Sequence, residues 1–324
     1  MNKLFFVLIF LTFCGLFLFI VGLKLLTNVL NKISSNKIRQ LIIKFSDKDY
    51  KVLLLGIIVT AICQSSNAIT AITLSFVSAK YLDFRKGLII IIGSNIGTTI
   101  TSILFGLNIQ NFGFTFIILG SILLVFLNNK NIGLLIVSLG ILLFGLNNLS
   151  NYLECLLSLD TVSPILVKVN SSNFLCFCLG TVISFIMQSS SASIGMIQQL
   201  HQENMISLSC GIAFVLGANI GTTITGLIAG FLGNISARKV ALFNFLFNFF
   251  GSLLFLAVLI PYTTFINELQ ICFNISNSLT ISLSHILYNV ITVLLFIIGL
   301  LFFYKAKRKE FINIFIWYFS KKML

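Results

Sequence analysis

The sequence predicts an all-α membrane protein made of two inverted-topology repeats, each with a re-entrant helical hairpin, followed by a final transmembrane helix. Three observations predict it. The 324 residues are 58% hydrophobic and only 9% charged, with a mean hydropathy of +1.07, whereas soluble domains carry about 25% charged residues. Apolar runs long enough to cross a bilayer, about 20 residues, recur along the chain. A polar heptad, Asn95-Ile96-Gly97-Thr98-Thr99-Ile100-Thr101, returns unchanged 124 residues later as Asn219-Ile220-Gly221-Thr222-Thr223-Ile224-Thr225. Soluble globular, collagen-like, coiled-coil and disordered classes are excluded, because the polar surface, period or charge each requires is missing.

The elements follow in order. Residues 4–29 form the first span. Lys3 and the apolar run to Cys14 imitate a cleavable leader, but the run continues to Val21 and bulky Phe13 stands where a cleavage site needs a small residue. The segment is therefore expected to be a retained helix. Residues 52–63 are apolar but too short to cross. They stop at Gln64-Ser65-Ser66-Asn67 and resume over 68–79, the pattern of a re-entrant hairpin (52–80) whose tip lies inside the membrane. Spans 88–107 and 112–127 complete a first repeat, residues 1–128. The second, residues 132–260, repeats the order: span 132–153, hairpin 174–200 broken at Gln188-Ser189-Ser190-Ser191, then spans 205–231 and 240–260. Residues 279–304 are the final helix. A basic tail, 305–324, ends in a stretch (311–324) whose Trp317, Tyr318, Lys321 and Lys322 suggest a helix lying on the cytoplasmic leaflet.

Charge tests this topology. The formal net charge is +13, which in a soluble chain points to nucleic acid. Here the basic residues sit in short connections and the tail, so bilayer orientation accounts for them and no nucleic-acid partner is expected. With the N-terminus outside and each hairpin returning to its own side, 19 of the 21 Lys and Arg residues are cytoplasmic, Lys24 among them, and only Lys3 and Lys168 lie outside. Counting each hairpin as a full crossing gives 16 against 5. The expected location is the cell (plasma or inner) membrane, with the lipid bilayer as partner and the C-terminus cytoplasmic. Of the cysteines, Cys14, Cys63, Cys176, Cys178 and Cys210 lie in apolar runs and read as packing residues. Cys155 and Cys272 are the pair that an oxidising compartment would join.

The repeat extends beyond the heptad. Gly56 matches Gly180, Gln64-Ser65-Ser66 matches Gln188-Ser189-Ser190, Ala68 matches Ala192 and Gly93 matches Gly217. With a one-residue shift, Gly22-Leu23 and Leu26-Thr27-Asn28 match Gly145-Leu146 and Leu149-Ser150-Asn151. Each unit makes three net crossings, and an odd number forces the copies to insert upside down relative to one another. Their hairpin tips then approach near the midplane, as in secondary transporters; a channel with half-helices shares that topology.

The residues after each break start a new half-helix whose first amides lack intrahelical partners, an arrangement that favours an anion. Serine hydroxyls and Gln carbonyls are also hard oxygen ligands for a cation such as Na⁺. No Lys or Arg lies in either tetrad or heptad. One helix terminus supplies roughly 0.3–2 kcal/mol, and burying an ion costs several, so an anionic substrate requires a co-bound cation. Gly97 and Gly221 are expected to relax their helices and free a carbonyl beside the threonine hydroxyls.

These duplicated motifs resemble the sodium-dependent phosphate cotransporter family, the type II sodium/phosphate symporters and their bacterial relatives, over about residues 15–304. The family pattern is Gln-Ser-Ser-Ser-Ala followed by Gly-Ala-Asn-Ile-Gly-Thr-Thr, and the first copy departs from it at Asn67, which replaces the third serine. The resemblance implies that Gln64, Ser65, Ser66, Asn67, Gln188, Ser189, Ser190 and Ser191, with Asn95 and Asn219, bind inorganic phosphate. It implies that the tetrads, Gln64 included, supply part of the sodium shell, that Thr222 and Thr223 with Ser189 or Ser190 complete a sodium site, and that Thr98 and Thr99 are their symmetry mates. No cofactor is expected; Na⁺ is the coupling ion.

Two late helices carry further polar pairs, Asn244 with Asn248 and His285 with Asn289, each on one helix face; His285 reads as an interhelical hydrogen-bonding residue. An enzyme is not expected, because the serines have no neighbouring His and Asp and no nucleophile-elbow spacing, and His201 and Glu203 read as solvated. The favoured function is a Na⁺-coupled phosphate transporter working by alternating access. A phosphate exporter, a carrier of another small anion, and an ion channel remain as alternatives.

Overall fold

The computed structural model describes residues 2–44, 48–107, 109–126, 130–159 and 162–306. These residues form thirteen α-helices: α1 Asn2–Lys44, α2 Asp49–Cys63, α3 Ser66–Ser78, α4 Phe84–Gly106, α5 Gly113–Phe126, α6 Lys130–Leu157, α7 Ser163–Asn170, α8 Asn173–Met187, α9 Ser190–Gln202, α10 Leu208–Phe231, α11 Ile235–Ala257, α12 Leu259–Phe273 and α13 Asn277–Ala306. Six are long and apolar enough to cross a membrane: Lys3–Leu30, Phe84–Gly106, Lys130–Leu157, Leu208–Phe231, Ile235–Ala257 and Asn277–Gly299. The described residues are helical with no strand among them, and the chain is a multi-pass membrane protein. The tail expected over 307–324, with its interfacial helix, lies outside the described residues.

Several boundaries differ from expectation. Helix α1 runs on past Val29 to Lys44, because no Gly or Pro follows Gly22 to stop it. The segment expected as span 112–127 is a 14-residue helix, α5, preceded by a 3₁₀ turn at Gln110–Phe112, and is shorter than the crossing length. Span 240–260 ends early: α11 stops at Ala257, and α12, which the sequence pattern does not announce, starts at Leu259 with Pro261 in its first turn. Helix α7 is likewise unannounced. Pro164 opens it, and it meets α8 at a 106° bend.

Glycines set how the helices meet. A Cβ at Gly15 would strike Leu149, one at Gly22 would strike Leu142, and one at Gly145 would strike Phe19. As the position on α1 rises, the contacted position on α6 falls, so α1 and α6 lie antiparallel with their backbones nearly touching. In contrast, Gly93 faces Leu53 and Gly97 faces Ile57, so α2 and α4 run parallel. Gly217 against Phe177 and Gly221 against Thr181 repeat the same contacts between α8 and α10, each displaced by 124 residues. Because α2 and α4 point the same way, α3 has to carry the chain back between them, and α9 does so between α8 and α10. Both α2–α3 and α8–α9 are therefore helical hairpins closed at a break. The returning legs reach across to the opposite half: α9 packs on α4, and α3 packs on α10 and α11. Ala192 of α9 accordingly sits in the core with Phe19, Phe105, Leu142 and Leu146.

The cysteines pair otherwise than expected. Cys176 and Cys210 form a disulfide between the first turns of α8 and α10, whereas Cys155 and Cys272 are free and exposed. Parallel helices bring the two helix starts together, which apolar context alone does not reveal. The bridge closes a loop of 34 residues, a length for which a disulfide stabilises by about 2–4 kcal/mol. Reduction, or Cys176→Ser, is expected to lower the thermal midpoint in detergent by several degrees. Mass mapping with a maleimide should label both sulfurs only after reduction; labelling of the unreduced, folded protein would contradict the pairing.

Candidate functional site

The two breaks have the same construction. Gln64 ends α2 in the left-handed region (φ 49°, ψ 29°), and Gln188 ends α8 likewise (φ 52°, ψ 28°). A non-glycine residue there costs of order 1–3 kcal/mol, so surrounding packing imposes the conformation. The following serines cap the next helices. Ser65 Oγ accepts the Ala68 amide at 3.2 Å, and Ser189 Oγ accepts the Ala192 amide at 3.2 Å. The caps leave the first amides of α3 and α9, on Ser66, Asn67, Ser190 and Ser191, without helical acceptors.

The structure brings the breaks together. Asn67 Nδ2 donates to the Gln188 carbonyl at 2.7 Å, across 121 residues of sequence. Both tetrads, Gln64 to Asn67 and Gln188 to Ser191, line one cavity of about 410 Å³, together with Thr222 of α10 and one face of α1. Ser190 and Ser191 are buried, the four residues of the first tetrad and Ser189 are half-buried, and Gln188 is exposed at the rim. Gln64 Oε1 is buried without a hydrogen-bond partner among the described residues, an oxygen left available to a cation. The wall carries two helix N-termini and Lys24, and no acidic side chain among the described residues. The electrostatics of the site favour an anion.

The other residues expected at the site lie off the cavity wall. Helices α4 and α10 pass unbroken through the heptads, so Gly97 and Gly221 do not release carbonyls; they let α2 and α8 approach. The threonines bond back along their own helices: Thr98 to the Ser94 carbonyl at 2.9 Å, Thr99 to Ile96 at 2.7 Å and Thr223 to Ile220 at 2.7 Å. Thr222 does the same toward Ala218 at 3.1 Å while also lining the cavity. Asn95 Oδ1 accepts from Asn248 Nδ2 at 3.5 Å. Asn219 donates to the Val215 carbonyl at 2.9 Å and meets His285 Nε2 through Oδ1 at 3.3 Å. His285 also lies 3.3 Å from Ser102 Oγ through Nδ1, so it joins α13 to both heptad helices as an interhelical hydrogen-bonding residue. Beside it, fully buried Gln198 of α9 donates to the Ser102 carbonyl at 3.0 Å and to Ser282 Oγ at 2.6 Å. This polar belt holds the second hairpin against α4 and α13.

Three polar wall residues are not among those the sequence nominates: Lys24, Thr27 and Asn28 of α1. Charge counting places Lys24 in a cytoplasmic connection, but it lies inside the candidate span Lys3–Leu30. The signal that could have found it is periodic: Ile20, Leu23, Lys24 and Thr27 stand at i, i+3, i+4 and i+7, one helix face.

The family model described as Na⁺/Pi-cotransporter matches residues 18–151 and 155–271. The chain belongs to the Na⁺/Pi-cotransporter family. YqeW of Bacillus subtilis, whose name carries no function, is 33% identical over 297 residues, covering 90% of this chain and 94% of YqeW. YjbB of Salmonella typhimurium, named for inorganic phosphate export, is 27% identical over 246 residues, 74% of this chain but 44% of YjbB. The human sodium-dependent phosphate transport protein 2C is 37% identical over 89 residues, 26% of this chain and 15% of that protein. The chain thus spans less than half the length of both phosphate-named relatives. No solved structure gives a significant match. As a member of the Na⁺/Pi-cotransporter family, the chain belongs with transporters of phosphate.

Proposed function

We propose that this protein is a Na⁺-coupled secondary transporter of inorganic phosphate, which binds its substrate between the two Gln-Ser-Ser breaks and works by alternating access. The single observation that carries the reading is the Asn67–Gln188 contact at the rim of a cavity shared by both breaks. The repeats, 1–128 and 132–260, insert in opposite orientations, and the hairpins are re-entrant with their tips at the midplane. Supporting this, α1 and α6, the equivalent first helices of the two units, lie antiparallel, while α2–α4 and α8–α10 share one internal arrangement. The 279–304 helix then completes the bundle. With the N-terminus outside, the α8 and α10 starts face the exterior, where an oxidising environment suits the Cys176–Cys210 disulfide.

Phosphate would be held by the amides that begin α3 and α9 and by the hydroxyls of Ser66, Ser190 and Ser191. Na⁺ is co-substrate: Gln64 Oε1, Ser189 and the Thr222 hydroxyl are the oxygens on the cavity wall best suited to it, with Thr98, Thr99 and Thr223 within the adjoining helices. The dipoles of two helix ends, roughly 0.3–2 kcal/mol each, do not offset the several kcal/mol needed to bury an ion. Bound Na⁺ supplies the missing counter-charge. Any excess of sodium charge over phosphate charge couples transport to the membrane potential at about 2.3 kcal/mol per charge per 100 mV.

In proteoliposomes, an inward Na⁺ gradient is expected to drive radiolabelled phosphate uptake several-fold above a K⁺ control. Uptake indifferent to Na⁺ would remove the coupling from this reading. Net export is the second reading, favoured by the match to YjbB over 246 residues. Vesicles preloaded with phosphate and given external Na⁺ distinguish the two by the direction of flux.

A further inference from the structure

We propose that Lys24 selects the anion: its ammonium is the fixed positive charge that phosphate meets in the cavity, and it is present on only one of the two repeat-related approaches. The inference rests on the phosphate-transport reading above and deepens it. Lys24 belongs to the α1 stripe that faces the two breaks, Ile20, Leu23, Lys24 and Thr27, and it is the charged residue on a wall otherwise made of amides, hydroxyls and apolar groups. It makes no ion pair with any described residue, so its charge is not already neutralised. The side chain is exposed to the cavity rather than packed, and its cation therefore bears little of the desolvation cost that a buried one would. Low-dielectric helices around an aqueous cavity focus the field of such a charge onto an entering anion.

The repeat sharpens the point. Displaced by 123 residues, the same stripe on α6 is Leu143, Leu146, Asn147 and Ser150, with asparagine where α1 has lysine. Of these, Leu143, Leu146 and Ser150 are buried, and none lines the cavity. Two approaches related by the repeat thus differ by one unit of charge. When the cavity opens along α1, as here, phosphate is drawn by Lys24. When the arrangement reverses and the α6 stripe takes its place, that attraction is gone. The α1-side cavity consequently binds phosphate more tightly than its repeat-related counterpart, and part of the anion's charge is compensated by the protein rather than by Na⁺.

The test uses the full chain reconstituted in proteoliposomes, with radiolabelled inorganic phosphate, comparing wild type, Lys24→Gln and Lys24→Arg. Lys24→Gln is expected to raise KM for phosphate on the α1-side face about tenfold, with maximal rate within about twofold and half-activating Na⁺ unchanged. Lys24→Arg is expected to stay close to wild type. Increasing ionic strength with choline chloride at constant Na⁺ should raise KM in wild type and leave Lys24→Gln nearly flat. An unchanged KM in Lys24→Gln, or a fall in maximal rate alone that Arg does not rescue, overturns the proposal while phosphate transport stands. Failure of the wild-type protein to move phosphate overturns the underlying reading instead. Should Lys24→Gln reconstitute poorly, thermal stabilisation by phosphate in detergent decides the same question: a weakened phosphate shift against wild type supports the proposal, and an equal shift overturns it.

Discussion

Ser190→Ala is expected to reduce Na⁺-driven phosphate uptake at least tenfold. Ser190 is 4% exposed, begins α9 and lines the cavity, so its hydroxyl has a ligand oxygen as its natural partner. Removing one hydrogen-bonding group from a buried charged ligand costs about 1–3 kcal/mol, and every 1.4 kcal/mol is about tenfold in affinity. The helix itself should survive, because the N-cap hydrogen bond comes from Ser189 and not Ser190. Ser66→Ala removes the equivalent group in the first hairpin. Its half-buried setting places the expected loss lower, at about three- to tenfold. Initial-rate uptake at matched protein density measures both, and wild-type rates in the pair would remove the breaks from the substrate site.

Gly217→Val is expected to cost the largest share of stability of any single substitution. A Cβ at Gly217 would run into the Phe177 carbonyl, and one at Gly180 into the Phe214 carbonyl. Here the obstacle is main chain, which cannot rotate away as a flexible side chain does. Helices α8 and α10 would have to separate, in a core that includes Phe177, Phe214 and Leu216. Overpacking typically costs about 1–3 kcal/mol and more where backbone must move. The corresponding fall in thermal midpoint is about 10 °C or beyond, read by size-exclusion recovery after heating in detergent. Gly93→Val tests the same contact in the first unit, against the Leu53 carbonyl. Gly299→Ala is the contrast: nothing lies within 4 Å of its Cβ, and the midpoint should hold or rise slightly through helix propensity. Equal midpoints for Gly217→Val and Gly299→Ala would overturn the close approach of α8 and α10.

Much of the architecture is legible in the sequence. The helix breaks show because a polar Gln-Ser-Ser interrupts an apolar run too short to cross by itself. The equivalence of Gly56 with Gly180 and Gly93 with Gly217 shows because close helix approach admits only one residue type. The breaks, with Gln64 and Gln188 as αL caps, fall where the polar tetrads stand. Local context misleads where a distant partner decides. Cys176 and Cys210 resemble packing residues because their neighbours are apolar, and Lys24 resembles a loop charge because it is basic and follows a long apolar run.

From the chain alone come the membrane class, the duplication and the position of the two breaks, since each is written in composition or in a periodic pattern that acts within a few turns. Only the folded molecule decides which residues share a space. That the breaks touch through Asn67 and Gln188, that a disulfide ties α8 to α10, and that Lys24 turns into the cavity all depend on helix directions and rotations. Those are determined by where glycines let backbones meet across more than a hundred residues, a sum of contacts that no local stretch encodes.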